Sequence, residues 1–382
     1  MVSVRNKKAP TSRRTPKVVL ILFVVAATAL GQKTDKPSLD ELRTKGYDAL
    51  YNLDYDGART HFQEIVRSYP DHPAGPECLA FVLWLQELYR SRYLQATHYS
   101  TNSLANENAR KPDPQVVNQF RQWTRAAESL AEARLKRDPK DIEALYLLGA
   151  TEGLRAVFAA AIEKRYTAAL RSSTDSVDHH RQVLKLDPSY HDAELTIGMQ
   201  DYIIGSLPLP LKMLAGLSGV RGSKKRGLEG LERVANEGHW ASDMARLLLI
   251  DIYKKEKRWP EAVAVSQQLA SKYPRNYFFR LQIADALIAE AASGQQPKQE
   301  NAAAVEQEGF NIFESLLRDK SARSAIDLVH FRYGEAYMEV GKPAQAVTQF
   351  QAVTQTVDAE PALVTLARQR AAQATEMAGK RR

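Results

Sequence analysis

The sequence is short of the groups that staple or metallate a fold. One cysteine, Cys78, stands among 382 residues, which excludes an internal disulfide and a cysteine-rich zinc site. Acidic residues are missing from residues 1–17, a stretch holding Arg5, Lys7, Lys8, Arg13, Arg14 and Lys17. Elsewhere the balance is ordinary. Hydrophobic residues make up 44% and charged residues 26%, which excludes a disordered chain and a polytopic membrane protein.

The basic start leads into an apolar run, Val18 to Leu30, with Ala29 and Gly31 offering small residues where a signal peptidase reads. Basic segment, short apolar run and small-residue exit are the layout of a signal peptide. The run falls short of the roughly 20 residues that span a bilayer, leaving an uncleaved N-terminal anchor as the alternative. The expectation is therefore an extracytoplasmic, periplasmic protein, soluble after cleavage or held by that anchor. Its parts are 1–31 as signal or anchor, 32–38 as linker, 39–378 as the body and 379–382 as a basic tail.

That start also explains the net charge. The whole chain carries 53 basic and 45 acidic residues, or +8. Removing the six basic residues of 1–31 leaves 47 against 45, or +2. The dense basic group remaining in the body is Arg221, Lys224, Lys225 and Arg226. Phosphate binding draws on concentrated positive charge, so a nucleic-acid partner is not expected.

Self-similarity organises the body. Pro70, Pro139, Pro188 and Pro274 each precede, by ten residues, a small residue: Ala80, Gly149, Gly198 and Ala284. An apolar residue stands before each: Leu79, Leu148, Ile197 and Ile283. Proline ends one helix, the small residue admits a neighbouring helix, and the apolar residue fills the contact. This is the plan of stacked antiparallel helix pairs. The predicted pairs are 39–52 with 55–69, 74–98 with 115–137, 141–165 with 174–186, 190–205 with 223–236, 240–256 with 259–272, 276–292 with 300–318, and 325–340 with 343–357. A last helix near 359–378 caps them. Ser38 and Glu41 form a capping-box pattern. Insertions are expected at 99–114, 166–173 and 203–222, and a flexible link at 293–300.

The spacing resembles the tetratricopeptide-repeat (TPR) family. Tyr333, Gly334, Tyr337, Ala346 and Phe350 match its pattern in 327–360. Leu249, Tyr253, Ala262, Leu269 and Pro274 match in 243–276, and Gly46, Ala58, Phe62 and Pro70 in 39–72. The resemblance implies an all-α, right-handed solenoid of helix pairs. It also implies a concave groove lined by the first helix of each pair, here with Tyr47, Phe81, Trp84, Tyr146, Met199, Tyr202, Asp251, Lys254, Asp285, Glu335 and Met338. Aromatic and methionine side chains in that groove would suit a protein or peptide partner. Gly227-Leu228 and Leu231 further resemble a helix of a eukaryotic TPR subfamily.

The insertion at 203–222 is unusually apolar, with Leu207, Leu209, Leu211, Met213, Leu214 and Leu217, and is broken by Pro208 and Pro210. Three readings stay open: leucines packed into the concave face, docking of a partner, or membrane-surface contact through 205–226.

Catalytic patterns fail. Gly216-Leu217-Ser218-Gly219 lacks the glycine spacing of a nucleophile elbow. The segment from Gly219 to Lys225 does not fit a phosphate-binding loop, and no His-Glu-x-x-His occurs. His179 and His180 are adjacent, so on a helix they point about 100° apart. The expectation is a non-enzymatic interaction scaffold with no cofactor, no metal and no catalytic residues.

Overall fold

The computed structural model describes residues 37–92, 112–210, 212–213, 221–294 and 299–380. The expected signal segment 1–31 and residues 381–382 of the tail lie outside the described residues, as do parts of the insertions at 99–114 and 203–222 and of the link at 293–300.

Among the described residues fifteen helices form seven consecutive pairs and a cap, and no strand occurs. They are α1 Leu39–Tyr51 with α2 Tyr55–Ser68, α3 Ala74–Arg90 with α4 Pro114–Arg137, and α5 Ile142–Ala161 with α6 Tyr166–Leu186. Then come α7 Glu194–Ser206 with α8 Lys224–Glu237, α9 Ser242–Lys255 with α10 Trp259–Lys272, and α11 Tyr277–Ala292 with α12 Gln299–Arg318. The last pair is α13 Ile326–Glu339 with α14 Pro343–Gln355, capped by α15 Pro361–Lys380. The architecture is the expected all-α solenoid of paired helices.

Five of the pairs turn sharply just past their first helix. Leu53, Lys164, Lys257, Gly294 and Gly341 take the left-handed conformation just past a first helix. In four of these turns a backbone N–H reaches back to a carbonyl of the helix just ended: Asp54 to Ala49 at 2.9 Å, Arg165 to Ala159 at 2.8 Å, Arg258 to Tyr253 at 2.8 Å and Lys342 to Tyr337 at 2.7 Å. Such bonds satisfy carbonyls that the helix end leaves open. The predicted helix 74–98 ends at Arg90, and α7 runs on to Ser206 into the expected insertion. A further misplaced element follows from the turns. Residues 166–173 are not an insertion, because Lys164 completes the turn within 162–165 and nothing after it breaks the helix, so α6 starts at Tyr166.

The proline-to-small-residue rule has a direct physical content. Pro70, Pro139, Pro188 and Pro274 all lie in turns between pairs. The small residue ten positions on then faces the second helix of its own pair. A side chain at Gly149 would run into the His180 ring, and one at Gly198 would meet Gly227 O at 3.0 Å. Ala80 and Ala284 are fully buried. Gly46 and Gly334 play the same part, holding the rings of Phe62 and Phe350. Ser38 caps α1 by accepting from Glu41 N at 3.1 Å, as the capping-box pattern predicts on that side. Cys78 is a buried thiol inside α3.

The array also closes on itself. Tyr51 at the end of α1 packs on Tyr273, with ring centroids 5.1 Å apart. Asn276 Nδ2 donates to Tyr51 O at 2.8 Å. Tyr89 of α3 packs on Phe278 at 5.3 Å. Arg92, just past α3, donates to Ser324 O at 2.7 Å and pairs with Asp327 at 3.1 Å. The first two pairs therefore share one hydrophobic core with the fifth to seventh.

One buried group makes the closed body sensitive to pH. His180 of α6 is enclosed by Tyr146 O at 3.1 Å and Thr196 Oγ1 at 2.5 Å. Burial lowers its pKa from 6.5 to about 4. Between those values the unfolded chain takes up a proton that the native state refuses. Stability from His180 is thus complete above pH 6.5 and declines as pH falls toward 4, by roughly 3 kcal/mol for the full shift. Urea midpoints for the wild type should fall more steeply over this window than those of His180→Phe.

Candidate interaction surface on the inner face

The first helices of the pairs carry the residues that the groove expectation named, and the structure sorts them into two kinds of surroundings. In the first three pairs they are packed. Tyr47 of α1 lies against Phe62, Phe81 and Trp240, at 5.4, 5.9 and 6.1 Å between centroids. Trp84 is buried in the core of the first two pairs. Tyr146 of α5 sits between the rings of His180 and Tyr190, at 5.3 and 5.0 Å. Further along, Met199 is half-buried on α7. Tyr202 is buried, with its hydroxyl donating to Glu256 at 2.7 Å and the ammonium groups of Lys224 and Lys255 within 6 Å of its ring centre.

On the later pairs the inner face is charged. Asp251 and Lys254 of α9, Asp285 of α11, and Glu335 and Met338 of α13 share one strip. Three residues that sequence reasoning missed complete it: Gln282, Arg332 and Arg370. Arg332 Nη2 pairs with Asp285 Oδ2 at 2.6 Å, while its Nε donates to Oδ1 at 3.2 Å, a two-point grip on the carboxylate. Lys254 Nζ donates to Gln282 and stands 3.7 Å from Asp285. Arg370 of α15 donates to Glu335 Oε2 at 2.9 Å, whereas Glu335 Oε1 is buried with no hydrogen-bond partner. Gln282 and Arg332 were within reach of the helical period, each standing three residues before a named residue. Arg370 left no signal, because it arrives from the capping helix.

The strip sets three carboxylates against three cations in buried surroundings, and its electrostatics show that burial. Burial pushes the Asp251 and Glu335 carboxyls above their usual range, against the pull of the nearby cations. Burial likewise lowers the Lys254 ammonium. Glu339, one turn past Glu335, opens to solvent at the rim, yet its crowded walls and then Asp285 raise it too. Among the described residues no three metal-ligating side chains converge.

The apolar insertion stands apart from this surface. Leu209 and Met213 are 71% and 66% exposed rather than packed inward. Leu211, Leu214 and Leu217 lie outside the described residues.

Comparison with known proteins adds the following. A family model for the tetratricopeptide repeat matches residues 48–72 and 244–276. No curated protein matches the sequence. Among solved structures, a human IFIT1 dimer with m7Gppp-AAAA is 14% identical, covering 84% of this chain and 68% of its own, at a TM-score of 0.40. A tetratricopeptide repeat protein from Parabacteroides merdae ATCC 43184 is 13% identical over 86% of this chain and 98% of its own, at 0.33. Yeast Tom70 is 12% identical over 90% of each chain, at 0.27. The expectation of no nucleic-acid partner is corrected here: the first of these structures holds m7Gppp-AAAA.

Proposed function

Because the chain is a tetratricopeptide-repeat protein, we propose that it is an exported interaction scaffold that holds a protein partner on the charged part of its inner face. The repeat fold supports the scaffold role. The finer reading is carried by one observation: from α9 to α13 the inner face holds Asp251, Lys254, Asp285, Arg332 and Glu335, where apolar packing would be cheaper. Groups that cost stability and add no core are expected where a partner is recognised. Export is supported by the layout of residues 1–31.

The exposed Glu339 allows a test that leaves the core intact. Glu339→Lys, in full-length tagged protein, should retain the wild-type melting temperature. It should lose at least tenfold of the recovery of any protein that the wild type captures from envelope extract. Unchanged recovery by the folded variant would remove the inner-face reading. N-terminal sequencing of protein from the envelope fraction tests export: a start at or after Gln32 is expected, and an intact start in a cytoplasmic fraction would contradict it.

A further inference from the structure

Seven large apolar side chains stand exposed among the described residues. Five of them gather at one end of the third and fourth pairs: Tyr166 and Leu170 of α6, Ile203 of α7, and Leu209 and Met213 just beyond it. Helix geometry brings them together. His180 of α6 meets Thr196 of α7 at 2.5 Å, and consecutive helices of the array run in opposite directions. Ten residues back along α6 and ten forward along α7 each cover about 15 Å, which brings Leu170 level with Ser206. Leu209 follows three residues later, within roughly 11 Å of chain. Lys212 N donates to Pro208 O at 3.0 Å, closing a helical turn there. Leu209 and Met213, four residues apart, therefore share one side of that turn.

Single exposed apolar residues are normal on a protein surface, but a cluster of them marks contact with something apolar. Leu209, Met213 and Leu170 are 71%, 66% and 61% exposed, so they project from the surface rather than line a groove.

The charge around them is mainly of one sign. Arg165, Arg171, Lys212, Arg221 and Lys225 are exposed at this end, against the exposed acids Asp175 and Glu229. Arg171, Lys212 and Arg221 make no ion pair among the described residues. Arg221 is held in place by its neighbour Gly222, where a Cβ would stand 2.6 Å from Ile204 Cβ at the end of α7. Lys224 and Arg226 are already matched, by Glu256 at 2.6 Å and Asp201 at 2.5 Å.

We propose that this end of the third and fourth pairs docks on an anionic lipid bilayer. Leu209 and Met213 enter the boundary of the hydrocarbon, while Arg171, Lys212 and Arg221 stay level with the lipid phosphates. A protein partner would need a cavity for each projecting side chain, whereas a bilayer admits them wherever they fall. The surface shares no residue with the α9–α13 strip, so it stands apart from the partner reading above.

A local probe on the full chain tests this. Met213→Cys and, separately, Val357→Cys are labelled with a polarity-sensitive fluorophore. Cys78 is buried and stays unlabelled. Val357 is 85% exposed and belongs to the seventh pair, so it serves as the control. Vesicles of phosphatidylglycerol and phosphatidylcholine should shift the emission at 213 to the blue, saturably, and leave that at 357 unchanged. Vesicles of phosphatidylcholine alone should give little shift. Each basic residue near an anionic surface strengthens binding about fivefold. Arg171→Glu with Lys212→Glu should therefore raise the lipid concentration at half-response at least tenfold, with the wild-type melting temperature retained. No shift at 213, an equal shift at 357, an equal response to neutral vesicles or an unchanged response of the charge variant would overturn the proposal. A shift that grows with protein concentration in the absence of vesicles would overturn it too, and would make a second copy of the chain the occupant.

Discussion

Arg92→Ala is expected to lower stability by about 3–5 kcal/mol, a loss large for a residue near the end of a helix. The reason lies 235 positions away. Asp327 is 0% exposed and is the anchor of the turn into α13. Its Oδ1 accepts from Leu328 N at 2.9 Å and its Oδ2 from Glu360 N at 3.1 Å. Arg92 supplies the cation that lets this carboxylate stay charged, and donates to Ser324 O and Asp358 O as well. Burial already pushes the Asp327 carboxyl above its usual range, and removing Arg92 pushes it further. The deficit of the variant should therefore shrink as pH falls and the carboxyl takes up a proton, and grow toward neutral pH. Adding Asp327→Asn should recover part of the loss. Denaturant unfolding of both variants at pH 5 and pH 7.5 gives the comparison.

Gly227→Ala and Gly230→Ala, one turn apart on α8, should move stability in opposite directions. A Cβ at Gly227 would run into Tyr202 N and would stand 2.6 Å from Gly198 O and 2.8 Å from Tyr202 Cα. All three are backbone atoms of α7 and cannot swing aside, so α7 and α8 must separate. A cost of about 3 kcal/mol is expected, at the upper end for overpacking. At Gly230 the nearest atom is 3.6 Å away, an ordinary contact. There the gain in helix propensity should prevail, by about 0.5–1 kcal/mol. Thermal midpoints of the two variants decide this. Equal effects would mean that α7 and α8 do not touch through Gly198 and Gly227.

The helix pairs were legible because they are written locally. Proline spacing, one small residue per first helix and helical periodicity fix which residues pair within about 40 positions. Misplacement came where the local signal was silent, as at Lys164, whose left-handed turn carries no glycine to mark it. The inner face was half legible. Helical spacing named Asp251, Lys254, Asp285 and Glu335, but not what they would meet. Arg332 and Gln282 lay one step from the named positions. Arg92, Trp240 and Asn276 could not be found this way, since their partners come from units far along the chain and follow only from how strongly the array curves. The aromatic residues named for the groove show the same gap. Tyr47 and Tyr146 occupy first helices as expected, yet Trp240 from a distant pair covers Tyr47, while His180 and Tyr190 of its own and the next unit enclose Tyr146.

Closure is thus the central claim, for it decides how much of the inner face is left for a partner. It is tested most directly by a cross-link between Asn52→Cys and Arg275→Cys. Asn52 Oδ1 accepts from Arg275 N at 3.2 Å, so the Asn52 side chain already reaches the Arg275 backbone. Cys78 does not interfere, because it is buried and burial pushes its thiol pKa far up. Mild oxidation of the native double variant should give an intramolecular disulfide in the monomer, seen as a faster band on a non-reducing gel and absent from either single variant. A double variant that stays reduced, or links only between molecules, would contradict the closed array.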